Sequence, residues 1–264
     1  MYIKLLITSG FLFCPLWAMG NESAPLISQT SYSQFQKFDR QLNLGMGVTS
    51  GNLTNGNSGA VNNSQFINLE IERLFDIGIW LDINASLMTY YSQGADPAFN
   101  KNTTVSGSQP NFGGVNVKLG YAFPLNTNHL LLTPYAQFGR TTNLSSYTMY
   151  ANNQVTNLTQ DYFLSSGVGT RLEYRINQII ELYFDQNALY NASQAPTNAT
   201  LAANDNYSYT SLLGAKFNLW HHFQLGLQGF YSNFYYTNPL NTINGIALVP
   251  QSTVGGLVSI GFIY

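Results

Sequence analysis

Between Arg40 and Tyr264 large apolar residues recur at every second position in stretch after stretch. Leu42, Leu44, Met46 and Val48 form one such series, and Ile79, Leu81, Ile83, Ala85 and Leu87 form another. Successive side chains of a strand point to opposite faces, so this alternation predicts strands with one greasy face and one polar face. Ten are predicted, at about Arg40–Thr49, Gln65–Leu74, Ile79–Tyr91, Gly113–Phe123, Leu130–Arg140, Tyr162–Arg175, Ile179–Tyr190, Tyr207–Leu219, Phe223–Phe234 and Thr253–Tyr264. Eight or twelve lie within the boundary error of such a reading. Pro134 falls inside the fifth strand, where it cannot donate to a ladder, so a bulge or local distortion is expected there.

The connections are of two kinds. Phe75–Gly78, Pro124–Asn128, Ile176–Gln178 and Trp220–His222 are short turns. The others are long and polar, including Thr141–Thr159, Asn191–Asn206 and Tyr235–Gln251. Aromatic residues gather at both ends of the strands. Tyr90, Tyr91, Tyr190, Tyr207, Tyr209, Phe234, Tyr235 and Tyr236 lie toward the long loops. Trp80, Tyr121, Phe123, Tyr174, Trp220, Phe223 and Tyr264 lie toward the turns.

Charged residues are only 8% of the chain, against about 25% in a soluble domain. No apolar run after residue 20 is long enough for a spanning helix. A closed β-barrel meets both conditions, because its lipid face uses alternate residues and closure pairs every backbone group. A soluble barrel or sandwich would also alternate, but its outer face should be rich in Lys and Glu. Here the polar faces are mostly Gly, Ser, Asn and Gln. Lys4, the apolar run Leu5–Trp17 and the small-x-small triplet Ala18-Met19-Gly20 predict an export signal over residues 1–20. Residues 21–37 are polar and without period, and are expected to be a short periplasmic tail or an inner plug segment. Residues 38–264 are expected to be the barrel. Cleavage after Gly20 removes Cys14, the single cysteine, and leaves 9 basic against 12 acidic residues. That excludes disulfides and thiolate metal sites and disfavours nucleic acid as a partner.

An exported chain with this hairpin pattern, ending in Val258, Ile260, Phe262 and Tyr264 on one face of its last strand, resembles the outer-membrane β-barrels of Gram-negative bacteria. It is similar to the small OmpA-type and opacity-like or porin-like barrels without a periplasmic domain. The resemblance implies an all-β, transmembrane, antiparallel up-and-down barrel in the outer membrane. It also implies that the four C-terminal residues are the signal read by the assembly machinery, and that lipids and lipopolysaccharide surround the chain.

The strand charges are the distinctive constellation. Glu70, Glu72, Asp82, Lys118, Arg171, Glu173, Glu181, Asp185 and Lys216 all fall opposite the apolar stripe and near short turns. They should ring the periplasmic half of the lumen, either as a cation-favouring constriction or as a salt-bridged plug. The three histidines, His129, His221 and His222, lie at turns with no paired Ser or carboxylate. No catalytic residue, metal ligand or cofactor is therefore predicted. The function expected is non-enzymatic, structural or surface-binding through long external loops that meet an external ligand or host surface. Residues 145–150 and 231–236 are uncharged and rich in tyrosine, a composition that suits adaptable contacts and equally suits plain solvent-exposed loops. The alternative is a narrow passive channel for ions or small polar solutes.

Overall fold

The computed structural model describes residues 30–55, 58–93, 105–107, 111–125, 129–149, 155–194, 206–220 and 222–264 except 237–248. The export signal expected at 1–20 lies outside them, as does His221. Among the described residues ten long antiparallel strands close into a barrel. They are β1 (Arg40–Asn55), β2 (Ser58–Leu74), β3 (Ile79–Gln93), β5 (Asn111–Tyr121), β7 (Leu130–Met149), β8 (Val155–Arg175), β9 (Ile180–Gln194), β10 (Asn206–Trp220), β11 (Phe223–Tyr236) and β12 (Val249–Ile263). A short strand β4 (Val105–Gly107) pairs with the end of β3, and β6 (Phe123–Leu125) continues β5 along β7. Each wall strand pairs with its sequence neighbour, and β12 returns to β1 from Gln41↔Ile263 to Thr54↔Val249. Among the described residues closure pairs each of the ten wall strands on both sides.

Several strands run further than the alternation indicates. The hairpin of β7 and β8 carries pairing to Met149↔Val155, through much of the stretch read as the loop Thr141–Thr159. The β1–β2 ladder likewise continues to Asn55↔Ser58. Residues 145–149 and 235–236, expected in loops, are strand residues of β7 and β11. Backbone pairing does not need an apolar face, so ladders outlast the pattern that reveals them.

The apolar stripe faces outward. Leu44, Met46, Leu213 and Ile260 are exposed, while their neighbours Asn43, Lys216 and Ser259 are buried in the lumen. Of the aromatic residues assigned to the turn end, Tyr121, Phe123, Tyr174, Trp220, Phe223 and Tyr264 are exposed on the outer wall. Trp80 is not among them: it is fully buried inside the barrel, since its position in β3 shares the parity of Asp82.

Pro134 does not make a bulge. The β7–β8 register runs through Pro134↔Thr170 without a shift. On the other side the ladder is interrupted between Gly120↔Tyr135 and Phe123↔Leu132, opposite Pro134. The Ala122 N–H, free of that ladder, donates to Gly78 O at 2.8 Å, and Ala122 O accepts from the Tyr32 hydroxyl at 2.9 Å. The missing donor is thus absorbed by the neighbouring strand, which turns its peptide groups elsewhere.

Tyr32 belongs to a segment folded into the turn end of the lumen. A helical turn α1 (Thr30–Ser33) leads into the segment up to Asp39, of which Tyr32, Phe35, Phe38 and Asp39 are buried. Tyr32 and Phe35 pack with Leu74, Trp80, Ala122, Leu131 and Tyr135. Of the stretch 21–37, residues 21–29 lie outside the described residues, and Tyr32, Phe35 and Gln36 pack inside the barrel end. Gly78, in the β2–β3 turn beneath it, has φ +85° and would drive a side chain into the Tyr32 hydroxyl.

Lumen aromatics lie over glycines directly across the ladder. Tyr183 covers Gly214, Tyr135 covers Gly169 and Phe66 covers Gly47, and a Cβ at any of these glycines would overlap the ring. Gly214→Val should therefore destabilise the barrel by about 1–3 kcal/mol through overpacking. Gly229→Ala, where a Cβ meets only one backbone oxygen at 3.9 Å, should leave the urea midpoint of the refolded protein nearly unchanged.

Candidate functional site: a charged lumen network

All nine strand charges singled out by parity point into the lumen. Lys118 retains 14% side-chain exposure, and the other eight are buried. The structure divides eight of them into two groups and leaves Glu70 outside both. Lys118 of β5 bridges Asp82 of β3 at 3.2 Å and Asp185 of β9 at 2.9 Å, and the Tyr135 hydroxyl donates to Asp185. Glu70 stands apart from the bases and accepts from Asn43 Nδ2 at 2.9 Å.

The larger group centres on Glu72. Its Oε1 accepts from Trp80 Nε1 at 3.0 Å and lies 3.0 Å from Arg171 Nη2. Its Oε2 accepts from Gln41 Nε2 at 2.7 Å and from Lys216 Nζ at 2.7 Å. Arg171 donates through Nε to Glu173 at 2.5 Å and stacks on Tyr183, with Cζ 4.2 Å from the ring centroid. Lys216 also reaches Glu181 at 3.5 Å, Asp39 at 2.5 Å and Phe38 O at 3.3 Å. Gln224 Nε2 donates to the same carbonyl at 3.4 Å.

Asp39 is the member that strand parity missed. It precedes β1 and belongs to no alternating stretch, so no period marked it. Burial and the nearby Glu173 push its carboxyl well above the ordinary range, with Lys216 opposing. Tyr135, Tyr183, Gln41 and Gln224 were also unmarked as network residues, although each has inward parity. Seven carboxyl groups now face three bases among the described lumen residues.

The remaining residues of interest lie elsewhere. His129 is exposed at the turn end and makes a 2.8 Å hydrogen bond between Nδ1 and Arg175 O. His222 is exposed and stacks on Phe262 at 5.7 Å. Neither adjoins the charged network. Val258, Ile260, Phe262 and Tyr264 are exposed along the outer face of β12, and Tyr264 N donates to Arg40 O at 3.2 Å.

No known family model and no curated protein matches the chain. Among solved structures the chain is similar to the β domain of the Bordetella autotransporter Brka. Identity is 11%, 86% of this chain and 100% of that chain are covered, and the TM-score is 0.51. The transport unit of the autotransporter AIDA-I from Escherichia coli is 9% identical over 89% and 98% of the two chains, with a TM-score of 0.49. An outer membrane channel from Pseudomonas putida F1 is 9% identical over 84% and 96%, with a TM-score of 0.48.

Lys216→Met should leave Asp39, Glu72 and Glu181 without their shared cation and cost about 3–5 kcal/mol, the usual effect of removing one partner of a buried ion pair. Adding Asp39→Asn should return part of that loss, which a double-mutant cycle in urea unfolding would measure.

Proposed function

We propose, for a chain whose fold is that of the Gram-negative outer-membrane β-barrels, a non-enzymatic role as a closed barrel that is structural or acts by surface binding at its external end. The observation that carries the reading is the filled turn end of the lumen. Phe35, Phe38, Trp80, Glu72, Glu173 and Glu181 are all fully buried there, and side chains from opposite walls meet around Glu72. Ten-stranded barrels are only slightly wider than the eight-stranded ones whose interiors side chains fill. The segment 30–39 adds aromatic bulk to that space. Residues 30–39 lie at the end of the barrel where the short turns are, which in outer-membrane barrels is the periplasmic end. An adhesive or binding role would then fall to the opposite rim.

The outward stripe supports embedding in lipid. On β10 Tyr209 and Trp220 are exposed eleven residues apart. That corresponds to about 28 Å of height at ordinary strand rise and tilt, near the apolar band of such barrels. Assembly would read the exposed stripe of β12, from Val258 to Tyr264.

Conductance of the refolded protein in a planar bilayer tests the closed reading. Wild type should give no steady current steps, and Arg171→Ala, which loosens the network, should give them. Steady steps in wild type, with cation preference altered by that substitution, would instead establish the narrow channel. Lipid embedding has its own check. Leu213 is exposed midway between Tyr207 and Trp220, so Leu213→Arg should cost about 2–4 kcal/mol in folding into bilayers.

A further inference from the structure

Asp39, Glu173 and Glu181 come together from the plug segment, β8 and β9. All three are fully buried, and a carboxylate oxygen of each lies within 4.8 Å of one from each of the others. Like charges so close in a dry site repel strongly unless something neutralises them. The bases present do so only in part. Arg171 serves Glu173 and Glu72, and Lys216 serves Asp39, Glu72 and, more distantly, Glu181. Ionised together, these four carboxylates would exceed the two bases by two negative charges.

A second observation points the same way. Neither oxygen of Glu181 accepts a hydrogen bond, nor does Oε2 of Glu173 or Oδ2 of Asp39. Glu72, by contrast, has both oxygens supplied, although Asp82 Oδ1 and Gln41 Oε1 in the lumen also lack donors. Buried carboxylate oxygens without donors are costly. Four such oxygens belong to the three side chains that cluster.

We propose that Asp39, Glu173 and Glu181 bind one divalent cation, with calcium favoured, and that the ion locks the N-terminal plug to the wall. Oxygens on one calcium ion, each at 2.3–2.6 Å, lie up to about 5 Å apart, which matches the cluster. Magnesium requires shorter bonds and keeps several waters, for which a fully buried site is poorly suited. The ion's two positive charges equal the local deficit. Asp39 is the only one of the three ligands outside the wall, so binding couples the segment 30–39 to β8 and β9.

The test uses the refolded full-length barrel in a zwitterionic detergent without lipid phosphate. Equilibrium dialysis with calcium alone at about 1 mM, the weak end of calcium modules outside cells, should give one ion per wild-type chain and none for Glu181→Gln. Calcium at 100 times its dissociation constant should raise the folded-to-unfolded ratio of wild type about 100-fold over chelator. Glu181→Gln should show no such gain, while in chelator it should be at least as stable as wild type, because it removes an unbalanced buried charge. Should Glu181→Gln fail to refold, Asp39→Asn serves as the second variant with the same expected pattern. Absence of binding in wild type would overturn the proposal and assign the charge deficit to bound protons. Equal binding in wild type and both variants would overturn it too, by placing the ion elsewhere. Neither result bears on conductance, so the closed-barrel reading stands or falls separately.

Discussion

Among the described residues Glu72 joins more strands than any other side chain in the lumen network. Its two oxygens take contacts from Gln41 on β1, Trp80 on β3, Arg171 on β8 and Lys216 on β10. The first two partners are on adjoining strands, and the last two come from the far wall. A carboxylate buried without such partners would be prohibitively expensive. Glu72 therefore fixes where the two walls stand relative to each other, and the aromatics pack around the arrangement. Tyr183 covers Gly214 and offers its face to Arg171, so a side chain at Gly214 would displace the ring that stacks on this base.

The arrangement inverts the usual plan of a globular protein. Apolar side chains cover the outside, and ion pairs and hydrogen bonds fill the interior. A hydrophobic core remains, but it is small and lies at one end, where Tyr32 and Phe35 meet Trp80 and Leu131. Hydrophobic burial contributes there by plugging the barrel mouth, while the wall is held by its ladders and by closure of β12 on β1.

Much of this was legible from alternation. Parity alone turned Glu72, Arg171, Glu173 and Lys216 to the inner face and Leu44, Met46 and Val258 to the outer face. Where the chain leaves the apolar band, the signal fades. The extension of β7 and β8 past Arg140 has no greasy face to mark it, only backbone pairing. Trp80 was assigned to the outer girdle because it lies beside a turn, although its parity with Asp82 places it inside. Asp39 could not be found by parity at all, because it lies in no strand; three-dimensional closure alone brings it to Lys216.

The plug segment is first in the chain yet completes its contacts with strands made much later. Asp39 and Lys216 are 177 positions apart, and Phe38 and Gln224 are 186 apart. Closing loops of that length has an entropic cost that only a nearly finished wall can offset. The segment leading into β1 packs on β2 and β3 close by, but its contacts are complete only with β10 and β11 in place. Its seating then reports on the whole sheet, in the manner of a keystone set after the arch is built.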